Sequence, residues 1–108
     1  MPDEPTVLSV LTTTDTEDKA AALARGAVET HLVACAQIVG PVTSVYRWEG
    51  AVETAREWQV VLKTTSLRYP DLEAWINRTH DYDVPEILAT PVTGSPDYLS
   101  WVRQECTP

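Results

Sequence analysis

Basic residues are scarce in this sequence: eight Lys and Arg stand against sixteen Asp and Glu, which gives a formal net charge of −8. No run or stripe of Lys and Arg occurs along the chain, and this argues against a nucleic-acid partner. An acidic surface attracts cations weakly and without selectivity. Weak binding of metal ions would therefore not by itself demonstrate a metal site.

Long apolar runs and export signals are also missing. No segment approaches the roughly 20 apolar residues that a membrane-spanning helix needs. The first residues, "MPDEPTVLSVLTTTD", carry acid near the start and an apolar run too short for a signal peptide. The two cysteines, Cys35 and Cys106, form no CxxC pair and are expected to be reduced thiols. These features predict a cytoplasmic protein without a membrane partner.

Residues that could carry catalysis are equally few. Neither of the two histidines, His31 and His80, has a serine or cysteine at a spacing typical of nucleophilic catalysis. There is no glycine-rich phosphate loop and no Cys/His cluster typical of zinc. The sequence therefore predicts neither an enzyme nor an organic cofactor. His31, near the end of a predicted helix, is expected to interact with the helix dipole.

The length and composition predict a single domain over residues 1–108, because a chain of 108 residues with 44% apolar residues can form one core. Thr14 and Glu17 have capping-box spacing at the start of the first helix. Gly40-Pro41 predicts a bulge, and Glu49-Gly50 predicts a tight turn. The predicted strands are residues 6–14, 34–50, 51–65 and 86–92, and the predicted helices are residues 14–32, 66–80 and 94–105.

This order of elements predicts an α+β fold of the ferredoxin-like β-α-β-β-α-β type with an additional C-terminal helix, in which helices cover one face of a four-stranded antiparallel sheet. The second and third strands are much longer than the usual strand of about 5–6 residues. A chain of this size cannot cover so long a hairpin with its own core, so its exposed aromatic residues indicate a partner subunit. The hairpin residues assigned to that contact are Tyr46, Trp48, Glu49, Gly50 and Trp58.

Several motifs carry a resemblance to a known family. They are "VACAQI" at 33–38, "TSVYRWEG" at 43–50, "LKT" at 62–64, "HDYDVPEIL" at 80–88 and "DYLSWV" at 97–102. Together they resemble the CutA divalent-cation tolerance family over nearly the whole chain. The resemblance implies a cytoplasmic homotrimer in which the long hairpins complete sheets between subunits, and a link to tolerance of copper and other divalent cations. It also implies similarity to the trimeric PII signalling proteins, which bind effectors in clefts between subunits.

His80 is predicted to be a metal ligand. Imidazole binds divalent copper, zinc and nickel, and nearby carboxylates would complete a weak and unselective site. The competing interpretation is that His80 ends the second helix and caps its carbonyl groups. Thr12 stands where some members of the family have a cysteine, which removes a soft copper ligand. The predicted function is that of a homotrimeric CutA-like protein that binds copper or another divalent cation weakly and serves the response to metal ions.

The alternative is a PII-like signalling module that binds a small effector between subunits. Cys35, Lys63, Tyr82 and Glu86 are expected to meet in such a cleft, because the topology brings their strands together. Lys63 lies in an apolar strand, and Glu86 is its expected counter-ion. The competing interpretation of this pair is a structural ion pair at the trimer interface.

Overall fold

The computed structural model describes residues 4–108. The elements follow the predicted order: β1 (Val7–Thr14), α1 (Glu17–Glu29), β2 (Cys35–Trp48), β3 (Ala51–Thr65), α2 (Tyr69–Thr79), β4 (Leu88–Pro91) and α3 (Pro96–Glu105). The strands form one antiparallel sheet in the order β2-β3-β1-β4, which is the ferredoxin-like arrangement. The predicted fold class is confirmed. No helix within residues 4–108 is long and apolar enough to cross a membrane.

The main core lies between the sheet and the first two helices. Successive side chains of a strand point to opposite faces, and Val10 of β1 therefore shares its face with Thr12. Leu72 and Ile76 of α2 are fully buried against this face. The buried residues of the cluster are Val10, Ala20, Leu23, Ala27, Leu32, Val33, Val60, Leu62, Leu72 and Ile76.

The third helix covers part of the opposite face, which differs from the prediction that helices occupy one face only. Val102 and Cys106 of α3 pack with Val7 and Ala34 in a second buried cluster. Val7 points away from the main core, because side chains alternate between the two faces of a strand and Val7 is an odd number of positions from Val10. Helix α3 thereby shields the beginning of β1 and leaves the far end of this face open.

The buried hydroxyl of Thr12 has no hydrogen-bond partner among residues 4–108. Because an unsatisfied buried polar group costs about 1–3 kcal/mol, we expect Thr12→Val, which has the same shape, to raise the free energy of unfolding by about 1 kcal/mol. Urea denaturation would measure the change. Thr64 is the matched control: it is equally buried, but its hydroxyl donates to the carbonyl of Leu32 at 2.7 Å. Thr64→Val should therefore destabilise the protein, and equal effects at both positions would contradict this account.

The predicted cap of α1 is wrong by two residues. Thr14 is the last residue of β1, because the pairing of β1 with β3 extends to Thr14 and Trp58. The N-cap is Thr16, whose hydroxyl accepts from the backbone N–H of Lys19 at 3.1 Å. At α3 the N-cap is Ser95, whose hydroxyl accepts from the backbone N–H of Tyr98 at 3.3 Å.

His31 lies beyond the end of α1 rather than in its last turn. It adopts a left-handed backbone conformation with φ of 60°. Its backbone N–H donates to Val28, and that of Leu32 donates to Ala27, which together form a Schellman motif. The ring Nδ1–H donates to the carbonyl of Glu105, 3.1 Å away, at the end of α3. His31 therefore interacts with the C-terminal end of the α3 dipole rather than with that of α1.

The hairpin of β2 and β3 gives the molecule its elongated shape, with extents of 49 × 23 × 22 Å. Glu49 and Gly50 both have positive φ, of 51° and 83°, and form the two-residue turn that the sequence predicts. The strand register shifts between Val39 and Val42, which confirms the predicted bulge at the intervening Gly-Pro pair. Trp58, assigned above to the protruding part, instead packs against the main core because it lies on the inner half of β3.

Candidate functional site

A cleft of 640 Å³ lies between the hairpin and the segment that joins α2 to β4. We call it the hairpin cleft. β2 and β3 contribute one wall, and residues 82–86 contribute the other. Its lining residues are Thr13, Ser44, Val45, Tyr46, Trp48, Glu57, Tyr82, Asp83, Val84, Pro85 and Glu86. The cleft thus combines three aromatic rings with three carboxylates.

Glu57 and Tyr82 connect the two walls of the hairpin cleft. The Tyr82 hydroxyl donates to Oε2 of Glu57 at 2.7 Å. Burial and then this hydrogen bond to the Glu57 carboxylate raise the pKa of Tyr82, so its hydroxyl keeps its proton at neutral pH. The Glu57 residue is only 8% exposed. Among residues 4–108, no basic side chain forms an ion pair with it.

The His80 ring holds this segment against β1. Its Nε2 lies 2.6 Å from the carbonyl of Thr13, and the backbone N–H of Tyr82 donates to its Nδ1 at 3.1 Å. Since a carbonyl only accepts and a backbone N–H only donates, the ring is neutral with its proton on Nε2. The side chain is 2% exposed. The cap interpretation is confirmed for the backbone: His80 is the C-cap of α2, and its N–H donates to the carbonyl of Ile76 at 2.8 Å. The ring itself binds a carbonyl of β1.

The hydrogen bonds of His80 bear directly on its prediction as a metal ligand. A ligating imidazole needs one unprotonated nitrogen that faces the metal. Here Nδ1 is the unprotonated nitrogen, but it already accepts a hydrogen bond from the Tyr82 N–H. The neighbouring Asp81 forms an ion pair with Lys19 of α1. That hydrogen bond from Lys19 lowers the pKa of Asp81. Within residues 4–108, no three His, Cys, Asp or Glu side chains converge to hold a metal ion. The residues of one chain therefore do not fit a ready-made metal site.

The four residues predicted to share one cleft fall into two pairs within a single chain. Tyr82 and Glu86 line the hairpin cleft. Cys35 and Lys63 lie opposite each other on β2 and β3. Lys63 is six residues from Glu57 along β3, which corresponds to about 20 Å. Lys63 forms no ion pair with residues 4–108, so its pairing with Glu86 of another subunit stays a prediction.

Cys35 contacts α3 rather than the hairpin cleft. Its Sγ lies 3.4 Å from the hydroxyl oxygen of Tyr98. This hydrogen bond and then burial raise the pKa of Tyr98 to about 12. The contact ties α3 to the beginning of β2 and leaves the Cys35 thiol half-buried.

Glu57 is the residue of this site that the sequence interpretation missed. Strand alternation places it on the same face of β3 as Lys63. Lys63 stands out because it follows three apolar residues, whereas Glu57 directly follows Arg56 in the polar half of β3, so no such signal marks Glu57 in the sequence. Its proximity to Trp58 in sequence offered no further indication of function.

Comparisons with known proteins agree with the fold. The family model described as CutA1 divalent ion tolerance protein matches residues 8–105. The divalent-cation tolerance protein CutA of Thermus thermophilus is 41% identical over 96 residues, which cover 88% of this chain and 93% of that protein. Mouse protein CutA is 37% identical over 99 residues; the match covers 91% of this chain and 56% of the mouse protein. The crystal structure of CutA from Xylella fastidiosa superimposes with a TM-score of 0.91 at 30% identity and covers 94% of this chain and 99% of that one.

Proposed function

Because this chain belongs to the CutA1 divalent ion tolerance family, we propose that it is a cytoplasmic homotrimer that binds copper or another divalent cation weakly and serves tolerance of such cations. The observation that carries the proposal is that Glu57, Asp83 and Glu86 all line the hairpin cleft. In a chain of net charge −8, this cleft concentrates negative potential. The relatives reported above are named for the family or for cation tolerance, and this favours the proposal over an effector-binding signalling module.

The trimer proposal is supported by the exposed surface of the hairpin. β2 is an edge strand, because the sheet order begins with it, and unpaired edges of this length need cover. Tyr46 and Trp48 are 44% and 42% exposed, and Val45 and Val52 are exposed further still. A neighbouring subunit that paired with this edge would bury these side chains and would add a third wall to the hairpin cleft.

Light scattering tests the assembly directly. One chain has a mass of 12.0 kDa, and the proposal requires three times that value in dilute solution. The mass of a single chain would overturn the trimer. Measurements over a range of concentrations would separate a stable assembly from weak association.

Calorimetric titration tests the cation site. In the double variant Asp83→Asn/Glu86→Gln, we expect the affinity for Mn²⁺ and Cu²⁺ to fall several-fold, because oxygen ligands are removed from the hairpin cleft. The control is Glu17→Gln/Asp18→Asn in the first turn of α1, where the same net charge is lost from another surface. Equal losses in both double variants would show non-specific attraction and overturn the site.

The same titration decides the contribution of His80. Copper would require the imidazole, whereas Mn²⁺ prefers carboxylates. If His80 is a ligand, His80→Ala lowers the affinity for copper and leaves that for Mn²⁺ nearly unchanged. An unchanged copper titration would remove His80 from the site and leave the carboxylates as its ligands.

A further inference from the structure

We propose that the hairpin cleft recognises a small organic cation, an alkylammonium group that pairs with Glu57 and lies against the aromatic side chains of the cleft. The inference rests on the proposed function in that it uses the same acidic cleft. It assigns to that cleft a ligand class other than a metal ion.

The first step is the charge of Glu57. Its only side-chain hydrogen bond within residues 4–108 comes from the neutral hydroxyl of Tyr82, which leaves the negative charge without a cation. A carboxylate this well buried is costly unless a cation is close to it. Because Glu57 lines the hairpin cleft, a cation bound there would supply the missing charge.

The second step is the position of the aromatic rings. Glu57 lies opposite Val42 on β2, and strand alternation then places Tyr46 and Trp48 on the same face of the hairpin as Glu57. Tyr82 closes the cleft from the other side. Aromatic faces attract cations within about 6 Å, and rings around an anionic group are the usual surroundings of bound ammonium groups.

The third step separates an organic cation from a metal ion. The cleft volume of 640 Å³ falls within the range of about 300–1,000 Å³ that is typical of small-molecule sites. Within residues 4–108 its carboxylates do not converge in threes, which agrees with weak metal binding and leaves room for a larger cation. Val45, Val84 and Pro85 offer apolar surface for the alkyl part of a ligand. Asp83 and Glu86 add negative charge, which disfavours phosphates and carboxylates.

The test compares choline with 3,3-dimethyl-1-butanol, which has the same shape but carries carbon in place of the charged nitrogen. Both are titrated into the wild-type protein in the presence of EDTA, and the backbone amide signals of residues 82–86 are followed by NMR. We expect choline to shift these signals saturably and to bind about tenfold or more tighter than the neutral alcohol. Equal binding of the two, or no binding of choline, would overturn the inference. The latter is also the outcome if a basic side chain of a second copy fills the cleft.

A second arm uses Glu57→Gln, whose side chain can still accept the hydrogen bond from Tyr82. Choline affinity should fall about tenfold, while Glu57→Asp, which keeps the charge, should retain part of it. Unchanged affinity in Glu57→Gln would overturn the inference. Choline binding with EDTA is independent of the metal titrations, so either proposal can fail while the other stands.

Discussion

Replacing His80 with alanine lowers the free energy of unfolding by about 3 kcal/mol, and the loss is the same with and without a chelator. The ring is nearly inaccessible to solvent and makes two hydrogen bonds, to the Thr13 carbonyl and from the Tyr82 N–H. Without the ring, a buried acceptor and a buried donor lose their partner, and each costs about 1–3 kcal/mol. Urea denaturation at constant protein concentration measures the change.

The matched control is the other histidine. His31→Asn changes an exposed ring and keeps a residue type that tolerates the left-handed conformation at this position. Its effect should stay within about 0.5 kcal/mol. A loss below about 1 kcal/mol in His80→Ala, or one that occurs only with added metal, would contradict the structural role of His80.

The sequence predicts the element order, the hairpin turn and the bulge correctly because each depends on local chemistry. Glu49-Gly50 can take positive φ at both turn positions, and glycine followed by proline interrupts a strand wherever it occurs. The long alternating pattern of β3 likewise needs no knowledge of its neighbours. For these elements the backbone preferences and the tertiary structure favour the same conformation.

The details of the site depend on contacts that are distant in sequence. Of the two hydrogen-bond partners of the His80 ring, Thr13 lies 67 residues from His80 along the chain and Tyr82 lies two residues from it; no periodicity indicates the first. Glu57 meets Tyr82 across 25 residues. The cap of α1 depends on how far β1 pairs with β3, because Thr14 and Thr16 are both suitable N-cap residues. In each case tertiary pairing decides between options that are locally equivalent.

Replacing Gly40 with alanine lowers the free energy of unfolding by about 2 kcal/mol, because the added methyl group has no room. A Cβ atom at this position would lie 2.7 Å from Cδ1 of Trp58 and 3.2 Å from the carbonyl oxygen of Glu57. The Trp58 ring packs against the main core and cannot move away freely. Gly94→Ala is the control, since its nearest neighbour, Leu99 Cδ2, lies at 3.7 Å; its effect should stay within about 0.5 kcal/mol.

A double-mutant cycle with Trp58→Leu assigns the cost of Gly40→Ala to this contact. With the smaller side chain, the methyl group gains room, and Gly40→Ala should cost about 1 kcal/mol less than in the wild type. Additive effects would place the cost elsewhere in the bulge. Because the added methyl group would also lie 3.2 Å from the carbonyl oxygen of Glu57, relief of the clash shifts the Glu57 backbone and with it the carboxylate of the hairpin cleft. Gly40→Ala should therefore weaken choline binding as well, while Gly94→Ala leaves it unchanged.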